Sequence, residues 1–445
     1  MADDSLLIEG VDVAGPRLRI RAGRAFADAF LRDDLWAEYE GISLEQVPRW
    51  VLELPFLLNV APVVWLSGRR FTVPELDEEL ASSLGRVRAA FQRLYPHLSW
   101  SGEIRAERLV GHDLEGAPHD PVTILFTAGI DSTHSSVRNA DRRQLLVSVW
   151  GTGIALDNTA GWSQVRRMCL AHAERTGNEA AFVRSNVRSF LEPARIMALS
   201  PGIPHWWTRV AFGLGYTGLA APAMAAKGSR RLVVSASHTH TSDEPYGSHP
   251  DTDGQLRWGG AEVSHEGFEL TRHEKVREIV AHVRSGGVRP MLRPCYSYKY
   301  GSGENCGRCE KCLRTSTALL VEGEDPRGYG IPVDPAKLSR VIDGQMRRFT
   351  LILAQANRVF HWTDMQRHAR RVLQEGMPRK LGDGTDVRPF LRWLVSRDFP
   401  RYARRWRIIG AMRTRISRVV ARFPAIERGL RRLQARLRDR RTARV

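Results

Sequence analysis

Four of the five cysteines fall within eighteen residues, at Cys295, Cys306, Cys309 and Cys312. Two consecutive C-x-x-C steps place three thiolates at one turn and at the start of the following helix, and Cys295 can complete a tetrahedron from the other side of a loop. Four soft ligands with no open position predict structural Zn²⁺, and a [4Fe–4S] cluster is the less favoured alternative. Unbound clustered thiols would be prone to oxidation in a cytosolic protein. The fifth cysteine, Cys169, is predicted to be a small core residue of a helix.

A second candidate site lies at residues 121–136, where a short apolar strand ends at Phe126 and small residues turn the chain. Asp131, Ser132 and Thr133 have side chains suited to the start of the next helix. Small side chains let backbone N–H groups approach an anion, and a helix N-terminus adds its positive end at the same place. The segment therefore predicts a phosphate site, with an ordinary strand-turn-helix capped by Asp or Ser as the alternative.

The turn resembles the Ser-Gly-Gly-x-Asp-Ser signature of the PP-loop ATP pyrophosphatases, which cleave ATP between its α and β phosphates. The resemblance implies that the nucleotide is bound by Thr127, Ala128, Gly129, Ile130, Asp131 and Ser132. Asp131 would help to hold Mg²⁺ near the phosphates. Thr127 keeps the hydroxyl of the family's Ser, whereas Ala128 replaces a Gly. That replacement is harmless only if Ala128 has a negative φ and does not touch phosphate closely, so reduced turnover is an open alternative.

The cysteine cluster resembles the zinc site of the 7-cyano-7-deazaguanine synthases, queuosine-pathway members of the same superfamily. Residues 235–251 resemble the family's substrate loop, and Leu270-Thr-Arg-His-Glu-Lys275 resembles its Leu-Thr-Lys-x-Glu step. Four motifs thus occur in the family's order between residues 121 and 320. By this resemblance His240, Asp243, Tyr246 and Asp251 would bind substrate, Arg272 would face the departing phosphates and His238 would act as acid or base. The ordinary alternatives are turn residues for Asp243 and Asp251, polar loop residues for the two histidines, and a solvated helix charge for Arg272.

The resemblance implies an ATP-dependent ligase or synthase that requires ATP, Mg²⁺ and Zn²⁺. A small-molecule or macromolecule-linked carboxylate, or an amide, would be adenylylated with release of pyrophosphate, and a C–N bond would form as AMP leaves. A PP-loop RNA sulfurtransferase is an alternative, but it requires a reactive cysteine outside the metal site, and Cys169 is the one available. A non-catalytic nucleic-acid-binding protein with a degenerate loop is a second alternative. We expect the phosphate loop and the cysteine cluster to frame one cleft.

The elements that must position these motifs follow from the apolar pattern. Strand-like stretches at 122–126, 144–149, 180–184 and 231–235 alternate with helical patterns such as 163–175, which predicts an α/β fold. The right-handed crossover rule favours a doubly wound parallel sheet of the HUP type, with ligands at the carboxyl ends of its strands. Gly213 to Gly218 formally matches G-x-G-x-x-G but reads as a close-packed helix. Residues 51–66 read as a buried strand or short helix, and Pro74 as the first turn of a helix to Leu94.

Composition divides the 445 residues into three predicted regions. They are an N-terminal α+β extension over 1–120, a PP-loop domain with the cysteine motif over 121–325, and a helical, Arg-rich region over 326–445. Residues 401–445 hold sixteen Arg and two acidic residues, on two predicted amphipathic helices. This basic tail predicts contact with nucleic acid or an anionic surface, or packing against the protein's own body. No secretory signal or transmembrane run is recognised, so a cytoplasmic location is expected, and a homo-oligomer is left open.

Overall fold

The computed structural model describes residues 5–114, 116, 120–240, 245–295, 304–348, 351, 356–376 and 380–421. Its strands are β1 (Ser5–Leu6), β2 (Ile8–Ala14), β3 (Arg17–Ala22), β4 (Leu35–Glu40), β5 (Arg70–Asp77), β6 (Glu103–Val110), β7 (Val122–Leu125), β8 (Gln144–Trp150), β9 (Glu179–Ser185), β10 (Arg231–Ser235), β11 (Arg257–Trp258) and β12 (Ala261–Glu266). Its helices are α1 (Arg24–Phe30), α2 (Arg49–Leu52), α3 (Leu54–Ser67), α4 (Glu78–Leu94), α5 (Ile130–Arg138), α6 (Thr159–Thr176), α7 (Pro193–Leu199), α8 (Phe212–Ala226), α9 (Arg272–Arg284), α10 (Glu310–Val321), α11 (Leu338–Arg347), α12 (Ala356–Gln374), α13 (Arg388–Val395) and α14 (Phe399–Ala421). The mixed α/β class is as predicted.

The main sheet has the strand order β11-β12-β10-β7-β8-β9-β4-β3-β2. Its central five strands, from β12 to β9, are all parallel. The first of them along the chain, β7, lies in the middle, with β8 and β9 on one side and β10 and β12 on the other. The strand order therefore reverses at β7, and in open α/β sheets ligands bind at the carboxyl ends of the strands at such a switch point.

Both faces of the parallel sheet are covered, because alternate residues of each strand enter different apolar clusters. On β8, Leu145 and Val147 pack in one cluster with residues of α3 and α8, whereas Leu146 packs in another with α6. Successive side chains of a strand point to opposite faces. The near-continuous apolar strands that the sequence shows are thus explained by burial on two sides.

The N-terminal strands extend the same sheet. β4 pairs antiparallel with β9, β3 with β4 and β2 with β3. A second, smaller sheet has the order β1-β5-β6 with all strands parallel. The division at residue 120 stays a prediction about domains.

Two expectations about the N-terminal region are corrected. Pro74 does not begin a helix: it lies inside β5, and α4 starts after Asp77, whose side chain accepts a hydrogen bond from the Leu80 N–H at 2.8 Å. A proline fits an edge or bulge position as well as a first helical turn, and strand pairing with β1 and β6 decides between them here. Residues 51–66 form helices α2 and α3, so the alternative of a strand is wrong.

The glycine-rich run at 213–218 lies in α8, as a close-packed helix rather than a nucleotide loop. A Cβ on Gly218 would come within 2.8 Å of the Leu54 carbonyl oxygen on α3, and one on Gly213 would meet the Asp253 carboxyl group at 2.7 Å. These glycines therefore allow α8 to approach its neighbours.

The described residues divide into two compact units, one within Met1–Pro335 and Leu381–Gly384, and one within Ala336–Lys380 and Thr385–Val445. The second unit is helical, from α11 to α14. Within it Trp362 packs on Phe399, with ring centroids 4.8 Å apart, and the Gln366 amide donates to the carbonyl oxygens of Leu394 and Arg397. No helix in the described ranges is both long and apolar enough to cross a membrane. The tail helix predicted beyond Pro424 lies outside the described residues.

Candidate functional site

The predicted phosphate loop, residues 127–132, follows β7 at the switch point of the sheet. The turn runs from Thr127 to Gly129, and α5 begins at Ile130 with Gly129 as its N-cap. The Ser132 hydroxyl folds back under the turn, where it accepts from the Thr127 N–H at 3.2 Å and donates to the Gly129 carbonyl at 3.3 Å. Gly129 has no side chain, so it offers no side-chain acceptor to the first N–H groups of α5. Such a helix start provides donors for an anion.

Ala128 has φ +54°, and it is the one non-glycine residue with positive φ in the described part of the chain. Alanine can replace the motif's glycine without harm only if its φ is negative, and this requirement is not met. An L-residue in this region of φ has a steric cost. Ala128 as a whole is 1% exposed and packs in the apolar cluster with Phe126 and Ile124. The side chain thus points into the core, away from solvent.

Asp131 and Arg272, both predicted as catalytic, lie in contact. The Arg272 guanidinium donates to the Asp131 carboxylate at 2.6 Å and to the Ser237 carbonyl, which follows β10, at 3.3 Å. The Lys275 ammonium group donates to the other oxygen of Asp131 at 3.3 Å and to the Ala236 carbonyl. Burial would raise the pKa of Asp131, but the charges of Arg272 and Lys275 hold that pKa at about 2. The carboxylate is therefore ionised and paired.

Local sequence explains why α9 presents both cations at this place. Thr271 is the N-cap and forms a capping box with Glu274, which fixes where the helix starts. Arg272 and Lys275 are three residues apart and so share a helix face. Gly267, at the end of β12 with φ +78°, leaves room for the lysine, since a Cβ there would lie 3.0 Å from the Lys275 Cε.

The structure adds three cations that sequence reasoning missed. One is Lys275, which the i, i+3 spacing from Arg272 could have revealed. Another is Lys311, a half-buried residue of the first turn of α10, near enough to Arg272 and Asp131 for their charges to affect it. Burial, with Arg272 and Arg314, lowers the pKa of Lys311 to about 7. The third is Arg293, whose N–H donates to the Ala128 carbonyl at 2.7 Å and whose guanidinium donates to the Thr127 carbonyl.

The four clustered cysteines lie together, with their sulfur atoms within 4.8 Å of one another. The Sγ atoms of Cys295 and Cys309 are 3.7 Å apart. Thiolates in a tetrahedron around zinc, at a Zn–S distance of about 2.3 Å, lie about 3.8 Å from each other. Backbone N–H groups of Cys306 and Cys309 each point at a neighbouring sulfur, at 3.3 Å. The site could therefore hold a metal ion, and the donor set fits zinc.

A group of partly exposed aromatic rings lies beside the phosphate loop. Tyr246 packs on His238 with centroids 4.3 Å apart and on Phe212 at 5.3 Å. Phe212 in turn contacts Tyr216, whose hydroxyl donates to the Thr152 hydroxyl, just after β8, at 2.7 Å. Burial raises the pKa of Tyr246, and the charges of Asp131 and Arg272 also act on it. The predicted residues His238 and Tyr246 are therefore close to the predicted pair Asp131 and Arg272.

Other predicted substrate residues are not brought to this pair. His240 is exposed, and its N–H donates to the Phe268 carbonyl at 3.0 Å. Asp251 is exposed and lies beside the His249 ring. The buried acid of this loop is instead Asp253, which is bound by its own loop and by His265 at 3.1 Å. Asp243 lies outside the described residues.

Comparison with protein-family models, with curated proteins and with solved structures found no match to the chain. The arguments that follow therefore rest on its own residues and geometry, beside the motif resemblance.

Proposed function

We propose that the protein is an ATP pyrophosphatase of the PP-loop type, which adenylylates a carboxylate or amide and forms a C–N bond. One observation carries the proposal: a small-residue turn and the start of α5, with Asp131 in its first turn, lie at the switch point of a parallel sheet, and Arg272 and Lys275 of α9 contact that carboxylate. Backbone donors and cations placed where a phosphate chain would sit are the groups this chemistry requires.

The fold proposal is correspondingly a doubly wound PP-loop domain. It is supported by the parallel order β12-β10-β7-β8-β9 and by apolar clusters on both faces of these strands. The loop after β7 would hold the phosphates, and the loops after β8, β10 and β12 would surround the rest of the ligand.

Each group has a distinct part in the proposed reaction. The N–H groups at the start of α5 and the Arg272 guanidinium would stabilise the negative charge that develops on the departing pyrophosphate. Asp131, ionised at neutral pH, is suited to hold Mg²⁺, which would supply Lewis-acid charge at the phosphates. A carboxylate oxygen of the substrate attacks the α-phosphorus as the bond to the β-phosphate oxygen breaks. A nitrogen nucleophile then attacks the acyl carbon, and AMP leaves with that substrate oxygen.

The acid acceptor would bind against the ring group of His238, Tyr246, Phe212 and Tyr216. Partly exposed rings give apolar contact area with fixed geometry, so they favour an acid attached to a flat or apolar group. His238 is within this group and is suited to move a proton at the nitrogen nucleophile, since imidazole titrates near neutrality.

The sulfurtransferase alternative is weakened by the state of Cys169. This residue is 0% exposed, and burial raises the pKa of its thiol to about 11. A buried, protonated thiol is a poor nucleophile.

The nucleic-acid alternative keeps one favourable feature, the exposed Arg401, Arg404, Arg405 and Arg407 on α14. Binding that falls steeply with salt and is lost on deletion of 401–445, without ATP consumption, would support it.

An isotope experiment tests the proposal. The full chain is incubated with ATP, Mg²⁺, ammonium and a panel of ring-bearing acids labelled with ¹⁸O in the carboxylate. We expect AMP and pyrophosphate in equal amounts, with one ¹⁸O in each AMP formed. Asp131→Asn should reduce this turnover by about a thousandfold, because Mg²⁺ would lose the carboxylate that is proposed to hold it and Arg272 would lose its charged partner. Asp141→Asn, the same change at an exposed residue just beyond α5, should leave it intact. If no acid in the panel yields AMP and pyrophosphate, the proposal is contradicted.

A further inference from the structure

Arg188 is an exposed cation at the carboxyl edge of the parallel sheet. It follows β9, and its guanidinium donates to the carbonyl oxygen of Thr152, which follows β8, at 3.0 Å. The same guanidinium lies over the ring of Trp207, with its central carbon 5.6 Å from the ring centroid. A hydrogen bond and a cation–π contact from two different elements restrict where this long side chain can lie.

No charged partner accounts for this position. Within the described ranges, no carboxylate lies at salt-bridge distance from the Arg188 guanidinium. The nearby acid of the same segment, Glu192, lies instead 3.6 Å from the Arg32 guanidinium. A guanidinium has five N–H donors, and the bond to Thr152 uses one of them. The other donors can bind an anion, and their fork geometry suits a carboxylate or a phosphate.

Trp207 connects Arg188 to the ring group beside the phosphate loop. Its ring contacts Phe212, with centroids 6.0 Å apart, and Tyr216, at 5.7 Å. The ring group extends from there to His238, which follows β10. A series of ring contacts therefore runs along the edge of the sheet from the loop after β10 to Arg188 after β9.

The strand order sets how far Arg188 lies from the phosphate loop. The phosphate loop follows β7, Arg188 follows β9, and β8 lies between these two strands. Neighbouring strands are about 4.8 Å apart, so the ends of β7 and β9 are about 10 Å apart. A ligand that lies along the ring group can thus reach the phosphate loop with one end and Arg188 with the other.

We propose that the acid acceptor carries a second anionic group, a carboxylate or a phosphate, and that Arg188 binds this group. The inference rests on the proposed ligase function and extends it, because it names the class of substrate: a flat, ring-bearing acid whose two negative groups are about 10 Å apart. Arg188 contacts the end of the substrate that does not react. It contributes equally to binding of the substrate and of the transition state, and so determines specificity through KM rather than kcat.

The first test compares two probes that share a rigid two-ring body, biphenyl-4-carboxylate and biphenyl-4,4′-dicarboxylate. Titration calorimetry measures their binding to the full chain with Mg²⁺ and α,β-methylene ATP, which cannot release pyrophosphate. We expect the dicarboxylate to bind about ten- to a hundredfold more tightly, because it gains charged hydrogen bonds to Arg188. A 4′-phosphono analogue of the monocarboxylate tests phosphate-like groups in the same way. Absence of any preference for a second anionic group, or of binding by all three probes, would overturn the inference.

Variants assign this preference to one residue. Arg188→Met should abolish it and leave the affinity for the monocarboxylate and for the nucleotide within about twofold, since the change removes an exposed charge outside the nucleotide site. Arg188→Lys keeps the charge without the fork, so it should restore part of the preference. Arg195→Met, the same change at another exposed arginine, on α7, should leave the preference intact. A preference that survives in Arg188→Met, or a large loss of nucleotide affinity in that variant, would overturn the role of Arg188.

These outcomes are separable from those of the proposed function. Arg188-dependent binding of the dicarboxylate by a chain that forms no AMP with any acid sustains the anion site and contradicts the ligase. AMP formation with an unchanged KM for the dicarboxylate in Arg188→Met does the reverse. Where both hold, Arg188→Met should raise that KM about tenfold or more and leave kcat within about twofold.

Discussion

Two aspartates at the carboxyl edge of the sheet have opposite environments. Asp131, after β7, has a side chain 19% exposed and is contacted by two cations, with a third nearby. Asp253, after β10, is 0% exposed and accepts four hydrogen bonds, from the Ser248 and Thr252 hydroxyls, the His249 N–H and the His265 ring. Burial raises the pKa of each carboxyl group, and in each case the partners reverse this and lower it.

The difference shows how a ligand site is distinguished from a structural one. At Asp253 each oxygen accepts two bonds from its own loop and a neighbouring strand, so the carboxylate fixes a turn and no further group is needed. At Asp131 positive charge exceeds negative charge and part of the carboxylate reaches solvent, so an anion and a cation can still be added. We expect removal of Asp253 to damage the fold, and changes around Asp131 to damage binding.

The largest expected effect is on stability at Asp253. Asp253→Ala should lower the free energy of unfolding by about 3 kcal/mol or more, because it leaves buried donors, including the His265 ring, without an acceptor. Urea denaturation followed by circular dichroism measures this. Asp251→Ala, two residues away and exposed, should change stability by less than about 0.5 kcal/mol. Equal losses in both variants would contradict the structural role given to Asp253.

Stability should also depend on pH through His172, which lies behind the phosphate loop. Its ring stacks on Phe126 at 4.7 Å, and burial lowers its pKa from 6.5 to about 4. Since the unfolded chain binds this proton near pH 6.5 and the folded chain does not until about pH 4, the contribution is present above pH 6.5. It is lost as the pH falls through that window, by about 3 kcal/mol in all.

Urea denaturation at several pH values measures this effect. His172→Gln should flatten the fall in stability between pH 6.5 and 4, because the variant has no imidazole to protonate in the unfolded chain. An unchanged slope in the variant would show that other groups cause the fall.

Lys275→Met tests the second half of the comparison, that a change beside Asp131 weakens ligand binding more than it lowers stability. The lysine side chain is 2% exposed, and burial, with Arg272, lowers its pKa. Burial of the ammonium charge therefore costs free energy. Methionine removes that charge and keeps most of the side-chain volume. We expect the free energy of unfolding without ligand to change by less than about 1 kcal/mol, while pyrophosphate affinity falls about tenfold. A large loss of stability with unchanged affinity would show that Lys275 is structural.

The smallest effect is expected at Ala128. Ala128→Gly relieves the steric cost of φ +54°, about 1 kcal/mol, but removes a buried methyl group worth about 0.8 kcal/mol. Thermal unfolding should therefore change little, and pyrophosphate affinity should stay within about twofold because the methyl group points into the core. Ala128→Val, which adds β-branching at positive φ, should lower the melting temperature clearly. A strong gain in affinity in Ala128→Gly would show that the methyl group does impede the phosphate.

The local elements of the parallel sheet were predictable because each depends on a short apolar pattern. The strand predicted at 231–235 is found as β10 with the same bounds, and the helix predicted at 163–175 lies inside α6. The cysteine cluster was predictable for a similar reason, since its spacing is itself the signal. The strand containing Pro74 was missed because proline suits a helix start as well as a strand, and its pairing partners lie far from it in the chain.

The cations of the site were predictable only in part. Arg272 was found through a motif. Lys275 ends the same quoted segment but was given no role, Arg293 belongs to no recognised pattern, and Lys311 was only one of the residues between two cysteines. Asp251 was predicted from loop resemblance to bind substrate; the structure leaves it exposed and buries Asp253, a residue for which no role was predicted. Which of two acids in one loop turns inward depends on donors from other elements, here His265 on β12.

The amino-acid sequence by itself determined the α/β class, the turn after β7 and the thiolate set, because helix periodicity, strand burial and ligand spacing act within a few residues. Only the tertiary structure decided that Asp131 meets Arg272, 141 residues further along the chain, and that Lys275 contacts the same carboxylate. Electrostatic interaction depends on distance in space, and that distance is set by how the sheet orders its strands.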